Sequence, residues 1–513
     1  MNRQFLKNRR ARYGGLAILV TLLVLAAILL ANTLVGTLAA RYGWQADLRQ
    51  SATFSIGEHS AALVRSALDA AGEGAKVQIH FCDEAEPLQA GEMTSYLQTT
   101  AKEFAALDSR IELVYHNVVL DPQSVEAYRT ATVIDPETGT EVTRTVNLQT
   151  SAVIIAAGDY HRAYTASEFF LWEDGSSTPT AYQGEKKFAS GILRALAPVS
   201  PVVCLTNNHG ETYYDYEILY LLDDAGYRLD YIDLTQSPIP EECSLLVCFN
   251  PNNDLAEKNG VAAVSESELL DQFLSVPGHA LLVFLENRTP NLPNLDAYLA
   301  TWGIQPCYAK GESADYRYMI REELASLTSD GYTIPGTATN AELAKQLTDG
   351  ISHAPVFSNA TGFVAAQGFV PNAQGGFEKG NRQVAMAYRG GSGAVAYANG
   401  KAVDTGDVGL LALGEQTLSG GSSHIVVVSS VNFATEELMR SGAYGNSDLL
   451  LRVASLISGI PNGEGIGAAP FPSTVMHGLS RGQRIGWTLA LTLIPAAIIA
   501  AVAVPVLVRR KHS

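Results

Sequence analysis

Residues 201–234, PVVCLTNNHGETYYDYEILYLLDDAGYRLDYIDL, contain two apolar runs separated by one helical pattern. The runs PVVCLT and YRLDYIDL are short and rich in Val, Leu and Ile, as expected for parallel strands that are covered on both faces. Between them, YYDYEILYLLDDAG has apolar residues at helical spacing and ends on a glycine, which can adopt a left-handed cap. This order predicts a strand, a helix and a second, parallel strand.

The same alternation continues along the chain. Further buried-strand patterns are CSLLVCFNP at 243–251, HALLVFLEN at 279–287 and, much later, SHIVVVSSVNF at 423–433. SESELLDQFLSVPG and GNSDLLLRVASLISG are helical patterns between or after them. Together these runs predict a doubly wound α/β sheet. The stretch from 302 to 421 is rich in turn formers and predicts an irregular insertion or a small third subdomain.

A different unit precedes this sheet. KVQIHFCDEAEPL predicts a strand from Lys76 to Cys82, GEMTSYLQTTAKEFAALD a helix, RIELVYHNVVL a second strand, and TSAVIIAAGDYHRAYT a third strand with a hairpin arm. This layout predicts a thioredoxin-like domain. Redox chemistry is not expected there, because Asp83, Glu84 and Ala85 follow Cys82 where a partner thiol would be needed.

Two long apolar segments, 14–40 and 485–508, carry no charged residue. Each exceeds the roughly 20 residues that a helix needs to cross a bilayer, so both predict transmembrane helices. A cleaved signal peptide is the alternative for the first, but its apolar stretch is longer than the usual signal core. Basic residues at both chain ends predict cytoplasmic termini in the plasma membrane, with residues 41–484 extracytoplasmic. The predicted order is a basic N-terminus (1–13), a span (14–40), the thioredoxin-like domain (52–182), the α/β domain (183–459), a linker (460–484), a second span (485–508) and a tail (509–513).

The region between the two predicted spans is strongly acidic. Setting aside the eight basic residues of the two termini, the net charge of −17 becomes −25 for the remainder. Such a surface does not attract nucleic acid or anionic headgroups. The five cysteines show no CxxC spacing, which predicts buried free thiols with at most one bridge. No metal site, cofactor or Walker A loop is expected, so the chain should not hydrolyse ATP by that route.

His209 and Glu211 follow the first strand of the predicted sheet. This edge is where open α/β sheets bind ligands, and an imidazole there could act as a base or a metal ligand. However, the sequence contains no HExxH or GxSxG motif and no third ligand at short range. The alternative is a simple helix start, in which Thr212 caps the helix while Glu211 and Asp215 favour its positive end.

Other polar residues follow the remaining strands and should lie at the same edge if the sheet is doubly wound. They are Asn250, Asn252, Asn253, Asp254, Glu286, Asn287, Arg288 and Asn432. With His209 and Glu211 they form a hypothetical rim for a ligand or partner, although such residues are also ordinary loop residues. The tyrosines between 213 and 220 predict a helix face that packs on the sheet or on a partner.

Many of these runs resemble the GldG family, the auxiliary membrane proteins of ABC-type transport systems first associated with gliding motility. The resemblance is carried by GEKKFASGILRAL, TNNHGE, LLDDAGYRLDYIDL, IPEECSLLVCFNPNNDL, ELLDQFLSVPGHALLVFLE, PNLDAYLATWGI and YGNSDLLL. It covers most of 76–305 and 423–458, and it weakens in the Gly-rich region around 370–422. It implies a thioredoxin-like domain plus a flavodoxin-like or amidotransferase-like domain, outside the membrane and beside a separate permease and ATPase.

The sequence therefore predicts an auxiliary subunit that binds a substrate or partner and is not an enzyme. Its expected partners are an ABC permease, an ATP-binding subunit and the bilayer, and a homo-oligomer is compatible with the sequence. Two alternatives remain open. One is an envelope hydrolase of amidotransferase-like fold that uses Cys204, or His209 with Glu211. The other is a structural scaffold that binds only protein.

Overall fold

The computed structural model describes residues 56–471 except 135–140, 159, 173–176, 198–200, 259–264, 310–315, 399, 404–407, 442 and 459–464. All of these residues belong to one compact unit. The predicted spans at 14–40 and 485–508 lie outside the described residues. Within the described part of the chain, no helix has both the length and the apolar character needed to cross a bilayer. The described residues form a mixed α/β fold, as predicted.

The first part of the fold is a four-stranded sheet with helices against it. Its elements are α1 (Glu58–Ala71), β1 (Val77–Phe81), α2 (Ala85–Ala90), α3 (Glu92–Leu107), β2 (Ile111–Tyr115), β3 (Thr130–Ile134), β4 (Glu141–Thr145), β5 (Val153–Ala157), β6 (Tyr160–Tyr164), β7 (Phe170–Trp172), β8 (Pro179–Tyr182) and α4 (Gly184–Leu196), with 3-10 turns at Pro122–Tyr128 and Ala166–Phe169. The strand order is β2–β1–β5–β6, in which β1 runs parallel to β2 and antiparallel to β5. The strands and helices that the sequence predicts here are present.

The side chains of β1 alternate between the two faces of this sheet, and the two faces pack differently. Val77, Ile79 and Phe81 point into a core that also contains Phe104 and Phe188 from two helices. His80 points to the opposite face, because successive side chains of a strand alternate. There the Nδ1 atom of His80 lies 2.9 Å from the Nε2 atom of His116, and its Nε2 atom lies 3.2 Å from the Tyr128 hydroxyl.

The second part contains a larger sheet, whose first strands are parallel, and several small sheets; its last strand pairs with β8 of the first part. Its elements are β9 (Val202–Thr206), α5 (Glu217–Asp224), β10 (Arg228–Ile232), β11 (Cys243–Phe249), α6 (Glu266–Phe273), β12 (Ala280–Phe284), α7 (Pro293–Thr301), β13 (Ile304–Pro306), β14 (Tyr308–Ala309), β15 (Tyr316–Arg317), β16 (Met319–Glu322), β17 (Thr333–Pro335), β18 (Thr337–Ala338), α8 (Lys345–Thr348), β19 (Val356–Ser358), β20 (Phe363–Ala365), β21 (Val370–Pro371), β22 (Phe377–Lys379), β23 (Arg382–Arg389), β24 (Ala394–Ala398), β25 (Lys401–Val403), β26 (Gly409–Leu418), β27 (Gly421–Val428), α9 (Glu436–Met439), α10 (Asn446–Ser458) and β28 (Ala469–Pro470), with a 3-10 turn at Asn432–Ala434.

Five parallel strands form one half of this sheet, from its edge inwards, in the order β10–β9–β11–β12–β27. These are the five apolar runs that the sequence predicts as buried parallel strands. The parallel pairing is confirmed for all five, whereas β10, at the edge of the sheet, is only partly buried. Their side chains divide between two cores, one on each face of the sheet. The carboxyl ends of all five strands therefore lie at one edge, which is where the candidate site residues follow.

The region predicted as an irregular insertion contributes regular structure to the same sheet. Strand β26 pairs antiparallel with β27, and β23 pairs antiparallel with β26. Gly375 and Gly380 lie in a bend and a turn, as the sequence suggests, whereas other glycines of this region allow close packing. A Cβ atom on Gly414 of β26 would lie 3.3 Å from the carbonyl oxygen of Trp302, and Gly303, with φ +87°, packs against Val384 and Phe369.

Candidate functional site

A buried polar cluster lies at the carboxyl end of β9. His209 is 2% exposed, and the side chains of Glu211 and Glu266 are 3% and 0% exposed. The Nδ1 atom of His209 lies 3.2 Å from Oε1 of Glu211, and its Nε2 atom lies 3.0 Å from Oε2 of Glu266. Both ring nitrogens therefore face a carboxylate.

Hydrogen-bond donors surround the two carboxylates. The Thr206 hydroxyl donates to Oε1 of Glu211, and the backbone N–H of His209 donates to Oε2 of the same residue. The backbone N–H of Ala256 donates to Oε2 of Glu266, and the amide of Asn208 donates to Oε1 at 2.8 Å. Each carboxylate oxygen has a partner, so the buried charges are compensated.

Opposing effects set the protonation of His209. Burial alone would lower the pKa of the imidazole, but hydrogen bonds and charges from Glu211 and Glu266 outweigh it and raise the pKa to about 9. Burial would raise the pKa of both carboxyl groups, but their bonds to His209 and other donors lower it overall. At neutral pH His209 is thus an imidazolium between two carboxylates, and a group that already carries its proton cannot act as a general base.

The loop after β9 is not the start of a helix, so that prediction is wrong. Helix α5 begins at Glu217, whose backbone N–H donates to Oδ1 of Asp215 at 3.0 Å, so only Asp215 has the expected role. Thr212 donates to the carbonyl oxygen of Gly210 instead of capping the helix. Glu211 turns back into the cluster because Gly210 adopts φ +66°, a conformation that favours glycine.

Sequence reasoning missed two members of this region, Glu266 and Cys248. Glu266 lies 57 residues after His209 and opens α6, and Cys248 is the last but one residue of β11. One ligand atom from each of His209, Glu211 and Cys248 lies within 4.8 Å of the other two. The donor set that the sequence lacked at short range therefore comes from a neighbouring strand.

A second polar cluster lies further along the same edge. Tyr214 donates to Oε1 of Glu286, and the backbone N–H of Glu286 donates to the Thr289 hydroxyl at 2.8 Å. That hydroxyl donates to Oδ1 of Asn250 at 3.0 Å. Asn250 itself has φ +49°, which an asparagine tolerates better than most residues. The structure thus brings Asn250 and Glu286 together.

The other predicted rim residues have separate positions. Asn252 and Asn253 each donate a backbone N–H to the carbonyl oxygen of His209 at 2.8 Å, which ties two loops together. Asp254 caps α7 by accepting from the backbone of Asn294 and Leu295. Three residues complete the set. Asn287 donates to the sulfur of Met319, Arg288 is exposed, and Asn432 lines a groove. The ten residues do not form one pocket.

That groove, which encloses about 1760 Å³, runs between the two parts of the fold. Its lining includes Trp172 from the first part and Tyr214, Tyr220, Leu327, Asn432 and Arg440 from the second. Tyr214 and Tyr220 are 47% and 50% exposed. The predicted tyrosine face is therefore divided, because Tyr213 is half-buried against the core and stacks on Phe249 with 4.5 Å between the ring centroids.

Charged residues border the groove. Arg440 makes a two-point ion pair with Glu217, with nitrogen to oxygen distances of 2.9 Å, and a second ion pair with Glu436 at 2.6 Å. Arg162 pairs with Asp223 at 3.2 Å, and Lys186 pairs with Asp448, so both parts of the fold are joined beside the groove. The groove combines exposed aromatic rings with a charged border, a composition typical of recognition surfaces.

All five cysteines are buried and free. Cys204, the nucleophile of the hydrolase alternative, lies inside β9 and is 0% exposed. Burial raises the pKa of Cys82 to about 11 and that of Cys307 to about 12, and it also raises the pKa of Cys248. A buried thiol with a raised pKa is a poor nucleophile.

Comparisons with known proteins give no family for this chain. No family model matches it, and no curated protein matches it. Among solved structures, the mmIFT52 N-terminal domain aligns with 50% of this chain and 97% of its own length, at 12% identity and a TM-score of 0.34. A likeness at that score carries no argument about fold or function.

Proposed function

We propose that this chain is a membrane-anchored auxiliary subunit of an ABC-type transport system, and that the described residues form its extracytoplasmic binding head. The segments 14–40 and 485–508 are its two anchors, on the grounds of their length and apolar character. The permease and the ATPase are separate chains. The head binds a substrate or a partner of the complex and does not catalyse a reaction.

Strand order supports the finer fold assignment within this proposal. The order β2–β1–β5–β6, with one parallel and two antiparallel pairs, is consistent with a thioredoxin-like domain. The five parallel strands, numbered among themselves, follow the order 2-1-3-4-5, which is the flavodoxin-like arrangement of a doubly wound sheet. Both domain types were expected from the resemblance to the GldG family.

The observation that carries the proposal is the open groove at the carboxyl edge of the parallel sheet. Exposed aromatic rings such as Tyr220 supply large contact areas at a low cost in conformational entropy, as binding surfaces require. The hydrolase alternative gains no support from the neighbouring polar cluster. His209 has both nitrogens engaged, and Cys204 has no access to a substrate.

Affinity purification of the tagged full chain from detergent-solubilised membranes tests the proposal. We expect an ABC permease and an ATP-binding subunit to co-purify with the chain in comparable amounts. Recovery of the chain without either component would contradict the proposal.

Photo-crosslinking in whole cells locates the binding surface. A photoreactive phenylalanine analogue replaces Tyr220 in the groove and, as a matched control, Val370, which is 57% exposed on β21 at the far edge of the sheet. We expect a cross-linked product from position 220 and none from position 370. Equal products at both positions would show that the groove has no special role.

A further inference from the structure

Side chains of three types that bind metals in proteins lie close together at the carboxyl edge of the parallel sheet, where the sequence predicted no metal site. His209 and Glu211 come from the loop after β9, and Cys248 comes from β11. One ligand atom of each lies within 4.8 Å of the others, and all three side chains are almost completely buried. Imidazole, carboxylate and thiolate are the ligands that Zn²⁺ uses in proteins. We propose that His209, Glu211 and Cys248 bind a divalent cation of the zinc type, and that Glu266 positions the imidazole.

The spacing of two donors fits a shared metal ion. Nitrogen and oxygen ligands lie about 2.0–2.2 Å from zinc, so two of them at tetrahedral angles stand about 3.3 Å apart. The Nδ1 atom of His209 and Oε1 of Glu211 are 3.2 Å apart. Zinc–sulfur bonds are about 2.3 Å long. The sulfur of Cys248 lies within 4.8 Å of the other two donor atoms, so it needs a shift of about 1 Å at most to reach a shared zinc ion.

The other side of the imidazole has the partner that a metal-binding histidine requires. Histidine ligands usually donate their second ring N–H to a carboxylate or a carbonyl group, which fixes the tautomer and the ring orientation. Glu266 accepts from Nε2 of His209 at 3.0 Å, and Glu266 is itself held by Asn208 and the backbone of Ala256. This arrangement leaves Nδ1 as the nitrogen that faces Glu211.

A zinc-type ion binds neutral imidazole and thiolate, so metal binding would displace the protons that His209 and Cys248 carry. The same residues without metal form a simple buried ion triad, and the experiment separates the two states. The inference does not depend on the proposed transport role.

Titration with Co²⁺ tests the site in the full chain, purified in detergent and stripped with a chelator. We expect one Co²⁺ per chain, with the visible absorption of a tetrahedral ion and a thiolate-to-cobalt charge-transfer band, and displacement by Zn²⁺. Cys248→Ser should abolish the charge-transfer band. Cys204→Ser, which removes an equally buried thiol from β9, should retain it. Glu266→Gln should retain the band and weaken binding about 10–100-fold.

Three results would overturn the inference. They are failure of the wild-type chain to bind Co²⁺ at one equivalent, a charge-transfer band that survives Cys248→Ser, and equal loss of the band in Cys204→Ser. The wild-type titration decides the matter even if a variant does not fold. This readout involves neither permease nor ATPase, so failure to bind Co²⁺ would not contradict the proposed transport function. Equally, failure of the permease and the ATPase to co-purify would not contradict the metal site.

Discussion

Replacing Glu266 by alanine is expected to lower the free energy of unfolding by about 3 kcal/mol in chelator-treated protein. Breaking a buried ion pair costs roughly 3–5 kcal/mol when a charge is left without a partner. We expect a loss at the lower end of this range because His209 keeps Glu211 as an ion-pair partner. The backbone of Ala256 and the amide of Asn208 also lose their acceptor. Denaturant unfolding of the metal-free chain measures the change.

Glu268→Ala is the matched control for this experiment. Glu268 lies in the same first turn of α6 but is exposed, so both variants lose the same charge near the positive end of the helix. We expect Glu268→Ala to change the free energy of unfolding by no more than about 0.5 kcal/mol. Equal effects of the two substitutions would show that the cluster contributes nothing beyond that helix-end charge.

Acidification should destabilise the first part of the fold through His80. Burial, and secondarily the charge of His116, lower the pKa of His80 from 6.5 to about 4. Because folding lowers the pKa of His80, this residue contributes to the stability of the native state at pH values above its pKa in the unfolded chain. That contribution is lost as the pH falls towards the folded value. Between pH 7 and pH 5 the expected loss is about 2 kcal/mol, since one pKa unit corresponds to about 1.4 kcal/mol.

Unfolding curves of His80→Gln at the same two pH values isolate this contribution. The substitution removes the titrating group, so the dependence on pH should become flatter by about the same 2 kcal/mol. His59→Gln, at an exposed position on α1, should keep the dependence of the wild type. A wild-type slope in His80→Gln would assign the acid sensitivity to other groups.

The parallel sheet was predictable because each of its strands carries its own signal. PVVCLT and HALLVFLEN are buried on both faces, so the apolar run is nearly continuous and needs no information from distant residues. The region from 302 to 421 gave a weaker signal. Strand β26 has glycines where neighbouring groups approach closely, as Gly414 does beside Trp302, and such glycines resemble turn residues in the sequence.

The candidate site was predictable only in part, because its members come from separate elements. The position of His209 and Glu211 at the sheet edge followed from the strand pattern, but their environment did not. Glu266 looked like an ordinary acidic residue at a helix start, and Cys248 looked like an apolar core residue. Only the register of β11 against β9, which aligns Val247 with Leu205, brings Cys248 to the end of the first strand.

The central claim is that the described residues form a binding head outside the membrane, and labelling in intact cells tests it most directly. All five native thiols are buried, so Ser237→Cys, at an exposed position after β10, supplies one accessible thiol in the full chain. A membrane-impermeant maleimide should label this variant in intact cells and leave the wild type unlabelled. Labelling of the variant only after lysis would contradict the claim.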